Sequence, residues 1–173
     1  MLVFVIQILT LLGLSIVAIQ DYQYRGVSWF LFPLLAISAL CGLWLGDTLR
    51  FFLPLMVVNF VFVFILLSGL TLYFSLKNGK LVNIADTYIG WGDILFFGIL
   101  AMFFSPLNLL MFVVGSLIVV VLIVALNPRL RRNIPLAGIQ ASLLIFLILL
   151  RFTPWSPDFH NDMWIVSWLE RWN

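Results

Sequence analysis

The chain alternates long apolar runs with short polar ones. Leu2 to Ile19 is apolar apart from Gln7, Thr10 and Ser15, close to the length that crosses a bilayer's hydrocarbon core. It ends in the polar stretch Gln20-Asp21-Tyr22-Gln23-Tyr24-Arg25-Gly26, read as a loop. Val27 to Leu45 is a second run, with Trp29 and Trp44 near its ends, where aromatic rings anchor to membrane interfaces. Gly46 to Arg50 is a turn, Phe51 to Leu76 a third run, and Lys77 to Ile89 the longest loop. A fourth run covers Gly92 to Phe104, and a fifth covers Leu109 to Leu126 after the turn Ser105-Pro106-Leu107-Asn108. The sixth, Ile134 to Arg151, follows the basic loop Asn127 to Asn133 and opens on Ile134-Pro135; proline suits a first helical turn, where its missing N–H costs little. No internal repeat is visible. In the tail, Trp164, Trp168 and Trp172 recur at helical spacing with Ile165 and Leu169 beside them. They predict an amphipathic helix in the outer interface, with Asp162 as its cap. The expected fold is an all-α integral membrane protein: a six-transmembrane-helix bundle over residues 1–151 and an amphipathic interfacial tail over 152–173.

Composition agrees with the pattern. The chain is 64% hydrophobic and 9% charged, with mean hydropathy +1.20, where a soluble domain is about 45–50% apolar and about 25% charged. A net charge of +2 on scattered residues gives no reason to expect nucleic acid. Cys41, the one cysteine, allows no internal disulfide and no cysteine-rich zinc site; neither metal nor cofactor is expected. The start has no basic region or small-residue cleavage site, so the first run is read as a retained span. The loops after the first, third and fifth spans hold Arg25, Lys77, Lys80, Arg129, Arg131 and Arg132, against Arg50, Arg151 and Arg171 on the other side. That bias predicts a multi-pass protein of the inner (cytoplasmic) membrane, with both termini outside. The arginines of the basic loop would also touch anionic lipid.

The candidate chemistry starts at Asp93, which heads the apolar run Ile94 to Phe104. A carboxylate at the centre of a membrane helix costs about 2.5–3.5 kcal/mol on insertion scales, which makes it a functional candidate. Gly90 and Gly92 flank Trp91 just before it and would let an extended peptide backbone approach. Trp91 either lines that cavity or anchors the span. On the predicted topology Asp21 reaches the same cytoplasmic face. At 1.5 Å per helical residue the two aspartates differ in depth by roughly 10 Å, a gap that tilt would have to close. Two nearby carboxyls share one proton, so that one serves as base for water and the other as donor to a carbonyl oxygen. Helix ends predict that Asp21, at a negative end, holds the proton, and that Asp93, at a positive end, is the anion.

The remaining polar residues carry quieter expectations. Asp86, on the same side, is a loop or cap residue and the reserve for Asp21; Arg25 is a further neighbour of the site. Asp47, Asp158, Asp162 and Glu170 fall on the far side. His160 is read as exposed, and Gln7, Asn59 and Ser116 as bonding between helices.

Six spans, Asp21 after the first and Gly90-Trp91-Gly92-Asp93 at the head of the fourth together resemble the type IV prepilin leader peptidases, including the preflagellin and short pilus-assembly forms. Ile134-Pro135-Leu136-Ala137, opening the last span, is similar too. The chain departs from the family at Leu95, usually lysine, and at Val27-Ser28, usually Ile-Pro. The resemblance implies an aspartic endopeptidase with Asp21 and Asp93 as its catalytic pair. Its partner would be a prepilin-like precursor whose short basic leader is cut at the cytoplasmic face. With no cysteine-rich zinc region, the chain should cleave without methylating. Two other functions fit the composition: a non-catalytic assembly scaffold in the pilus or secretion membrane, or a small proton-coupled transporter.

Overall fold

A computed structural model describes residues 2–126, 134–153, 158–163 and 170, without the side chains of residues 86 and 87. The basic loop with Arg129, Arg131 and Arg132, the tryptophan-bearing tail helix and Arg171 lie outside the described residues. Seven helices occur among them: α1 (Leu2–Tyr24), α2 (Leu31–Leu45), α3 (Leu49–Asn78), α4 (Ile84–Thr87), α5 (Trp91–Phe103), α6 (Pro106–Leu126) and α7 (Leu136–Leu150). No strand occurs among the described residues.

Each of the six apolar runs contains one long helix, but their lengths divide. Three are long and apolar enough to cross a membrane: α1 with 23 residues, α3 with 30 and α6 with 21. By contrast α2, α5 and α7 have 15, 13 and 15 residues, short of the roughly 17–25 that a crossing needs. Six full-length spans are therefore not what the helices display.

Several boundaries differ from the sequence reading. The polar stretch after the first run is helical, and Asp21 sits within α1 rather than in a loop. Polarity alone does not end a helix, and no glycine or proline intervenes before Gly26. The stop is Arg25, in left-handed conformation at φ 56, whose N–H donates to the Asp21 carbonyl at 3.1 Å. Val27 to Phe30 precede α2 as a turn, tied down by the Ser28 N–H donating to Gln20 Oε1 at 2.8 Å. The loop predicted from Lys77 holds the end of α3, closed by Gly79 at φ 63, and the single turn α4, capped by Asn83.

Packing places α5 at the centre, against α2, α3, α6 and α7, while α1 packs on α2 and α7. Accordingly α5 buries residues all round, among them Phe96, Leu100 and Ala101 at zero exposure. Leu14 and Val17 of α1, Leu31 and Leu35 of α2 and Leu144 of α7 complete the core. Outward faces stay apolar: Phe64 and Ile65 on α3 and Val121 on α6 are more than 60% exposed.

Buried polar groups join helices as expected, with one exception. The Asn59 amide of α3 donates to the carbonyls of Ala101 (3.0 Å) and Phe104 (2.6 Å), closing the last turn of α5. Ser116 of α6 accepts from Gln140 Nε2 of α7 at 3.1 Å. Gln7 makes no such bond among the described residues.

The segment after α7 returns to the bundle. The Phe159 carbonyl accepts from Ser105 N–H at 2.8 Å. Asp162 accepts from the Ser105 hydroxyl and from the N–H groups of Leu107 and Asn108. Asp162 therefore caps α6, taking up the orphan N–H groups of Leu107 and Asn108 in its first turn; the tail helix it is expected to cap lies outside the described residues. His160 is not exposed: its ring meets Phe52 edge-on with centroids 4.8 Å apart. Burial lowers its pKa from 6.5, as does the nearby Arg151 charge, and Asp158 opposes both.

Two measurements on detergent-solubilised protein test this account. Asn59→Leu strands two buried carbonyls and should cost about 1–3 kcal/mol in unfolding free energy. A folded His160 that resists protonation means the unfolded chain takes up the proton first as pH falls. Its contribution is therefore complete above pH 6.5 and lost as pH drops below that value, and His160→Gln should flatten this acid loss of melting temperature.

Candidate active site

The start of α7 is an unusual helix terminus. Pro135 stands at its N-cap with no side-chain hydrogen bond and is almost fully buried. Neither Ile134 nor Pro135 has a side chain able to accept from the first-turn N–H groups, and buried donors left unpaired cost about 1–3 kcal/mol each. Leu136 N–H turns back to the Ile134 carbonyl at 3.0 Å. The next two donors go to carboxylates from other helices. Ala137 N–H donates to Asp93 Oδ1 at 2.8 Å, and Gly138 N–H donates to Asp21 Oδ2 at 2.6 Å.

Residues 72 positions apart in the chain thus meet on consecutive peptide groups of a third helix. With those bond lengths and one peptide step between the donors, the two acceptor oxygens lie at most about 8 Å apart. They are close enough for the Asp21 charge to act on Asp93. Asp21 is buried at 6% exposure, whereas Asp93, in the first turn of α5, is half-buried. One carboxyl is therefore enclosed and the other open toward the surface.

The positive end of α7 faces both carboxyls. The helix-end reasoning that gave the proton to Asp21 considered only α1 and α5, so it no longer separates the two. The expected depth mismatch is absorbed at the opposite end of the bundle, where α1 runs on past the end of α5.

The other candidates divide. Gly90 caps α5, is exposed, and would place a Cβ 3.6 Å from Asp93 Oδ2; it lies open beside the carboxylate. Gly92 does not, because its missing side chain faces Val27, 3.7 Å from the ideal Cβ position. Gly92 lets the turn after α1 pack on α5. Trp91 is 61% exposed, as suits an interface anchor. Arg25, one turn beyond Asp21, is exposed and lies within electrostatic reach of it. Asp86 sits on α4, which packs against α3 and α5; its side chain is outside the described atoms.

Gly138 was missed in the sequence. A Cβ there would sit 3.1 Å from Asp21 Oδ2, 3.2 Å from Asp21 Cβ and 3.3 Å from the Ala18 carbonyl, so glycine lets α1 approach α7 this closely without displacing Asp21. A signal did exist: an apolar helix start, Ile134-Pro135-Leu136-Ala137-Gly138, that contains no Ser, Thr, Asp or Asn to cap it. No family model matches this chain, and neither does any curated protein or solved structure.

Glycine-to-alanine substitutions separate crowding from propensity. Gly138→Ala should destabilise by about 1–3 kcal/mol, since overpacking forces Asp21 off its donor. Gly69→Ala and Gly115→Ala, with nothing within 4 Å, should each stabilise by about 0.5–1 kcal/mol. Thermal unfolding of the three variants decides the matter.

Proposed function

We propose that the chain is an intramembrane aspartic endopeptidase that removes the leader of type IV prepilin-like precursors at the cytoplasmic face. The observation that carries this reading is the pair of carboxylates, Asp21 and Asp93, tied to adjacent N–H groups of α7. Such a pair can divide acid and base roles between chemically identical groups. One carboxylate takes a proton from water as its oxygen attacks the scissile carbonyl carbon. The other carboxyl gives its proton to the carbonyl oxygen. Collapse of the tetrahedral intermediate then passes a proton to the departing amine, and the pair returns to its starting charge. Asp93, open toward the surface beside Gly90, is the group the substrate meets first. Asp21 acts from the enclosed side.

The membrane setting is part of the proposal. α1, α3 and α6 are full-length spans, and α2, α5 and α7 complete a six-span bundle together with the non-helical residues that flank them. Arg25, Lys77 and Lys80 share the end of the bundle that holds the pair, which by the positive-inside rule is the cytoplasmic end. The apolar outward faces of α3 and α6 then meet lipid. The motif Gly90-Trp91-Gly92-Asp93 and its likeness to the prepilin peptidases supply the substrate class.

Cleavage of a prepilin-like precursor by purified protein in detergent is the test. Asp21→Asn and Asp93→Asn should each lose about 10²–10⁴-fold in rate, the usual worth of a general acid or base, while melting at temperatures near wild type. Failure of the wild type to cut any of several precursors would favour the scaffold. Cleavage surviving both substitutions would remove the pair from the chemistry.

A further inference from the structure

The helices that meet at the aspartates are unequal in length, and the difference emerges at the opposite end. From Asp21 back to Val3, α1 extends about 27 Å, whereas α5 from Asp93 to Phe103 extends about 15 Å and α7 from Gly138 to Leu150 about 18 Å. The overhang of α1, on the order of 10 Å, leaves a recess. Segment 158–161 roofs it through the Phe159 carbonyl on Ser105 N–H. A cavity of about 490 Å³ results, between the outer ends of α1, α2, α5 and α7. Its size falls in the ligand-binding range of about 300–1,000 Å³.

The lining is two-sided. Ala39, Leu43, Met102 and Ile148 form an apolar wall, and Gln7, Arg151 and His160 gather polar atoms at the end of the bundle. The half-buried Gln7 amide and the Arg151 guanidinium have no hydrogen-bond or ion-pair partner among the described residues. Arg151 is held over the Phe159 ring, 5.3 Å from its centroid, an arrangement that orients the cation without neutralising it. Asp158 also lines the cavity, and its Oδ1 accepts the His160 N–H at 3.1 Å. One cation and one anion therefore stand at the mouth of an apolar chamber. Val3 and Phe4 beside that mouth are exposed, so an occupant reaches it from apolar surroundings.

We propose that this cavity binds one phospholipid with a zwitterionic, amine-bearing headgroup, of the phosphatidylethanolamine class. The phosphate meets Arg151, the ammonium faces Asp158, the Gln7 amide donates to an ester carbonyl, and an acyl chain lies along Ala39, Leu43, Met102 and Ile148. The occupant is a lipid rather than a free headgroup because most of the lining offers nothing to a polar molecule. The site is remote from the aspartates and independent of any peptidase chemistry, needing only the membrane setting.

Native mass spectrometry of the detergent-purified full chain tests it. The probes are phosphatidylethanolamine, phosphatidylglycerol and free glycerophosphoethanolamine, with wild type, Arg151→Gln and Gly42→Leu. Gly42 lines the cavity, and a Cβ there meets only Ile6, at 4.0 Å, so leucine should fill the chamber while improving helix propensity. Wild type should retain one phosphatidylethanolamine per chain in preference to phosphatidylglycerol and should not bind the free headgroup. Arg151→Gln should retain at least about tenfold less, the worth of one charge-assisted hydrogen bond, and Gly42→Leu, which occupies the space of the acyl chain, should also retain less. Equal retention by all three proteins, no retention by wild type, or equal binding of the free headgroup would each overturn the proposal. Circular dichroism checks that the variants fold; should Gly42→Leu not fold, Arg151→Gln, at an exposed position, decides alone.

Discussion

The start of α7 is the constraint on which the rest of the bundle depends. A buried helix terminus needs acceptors for its first N–H groups, and this one carries none of its own. Asp21 and Asp93 supply them. The need is mutual, since a carboxylate in an apolar bundle costs about 2.5–3.5 kcal/mol to insert. A hydrogen bond to a charged group returns about 1.5–3 kcal/mol, and a helix N-terminus a further 0.3–2 kcal/mol or so. The two liabilities roughly cancel, and three helices are fixed at one level in doing so.

That joint dictates the neighbouring packing. α1 delivers Asp21 to α7 where α7 has no side chain, at Gly138. α5 delivers Asp93 from its first turn because Gly90 is extended and starts the helix immediately before it. The turn after α1 then closes over Gly92 through Val27. Each glycine near the carboxylates thus serves a different contact, and only Gly90 leaves its space open. What the sequence presents as one Gly-x-Gly-Asp motif is two separate structural requirements.

Much of this was legible in the sequence, and the failures have physical causes. The apolar runs marked all six long helices, and topology brought Asp21 and Asp93 to one end without any knowledge of contacts. The end of α1 was misread because Gln20 to Tyr24 is polar, yet polarity does not break a helix when it faces a water-accessible end. His160 is not exposed as its polar surroundings suggest, and Asp162 has a role at α6 that its place in the tail does not announce. The tail's hold on Ser105 and Phe52 comes from long-range contacts that periodicity cannot report. Gly138 was missed because a single glycine in an apolar helix looks like any other until its neighbour is known. The uncapped start of α7 was the clue, and it is read by asking where each orphan N–H goes, not by searching for a motif.

The unequal helices make the two ends of the bundle different in kind. Where the aspartates meet, the N–H groups of Ala137 and Gly138 are each matched to one carboxylate. At the other end, the same level joint forces α1 to run on past α5 and α7, and no helix among the described residues fills the space. Segment 158–161 covers it with Phe159 packed on Phe104 and under the Arg151 guanidinium, while the Gln7 amide is left without a hydrogen-bond partner among the described residues. A bundle optimised only for its own stability would close that recess with leucine at Gly42 or Ala39. Small residues persist there while Phe96 and Leu100 pack the centre at zero exposure. The tight end and the hollow end are therefore two outcomes of one geometric fact: the shortest helix in the bundle, apart from the single turn α4, is the one that carries Asp93.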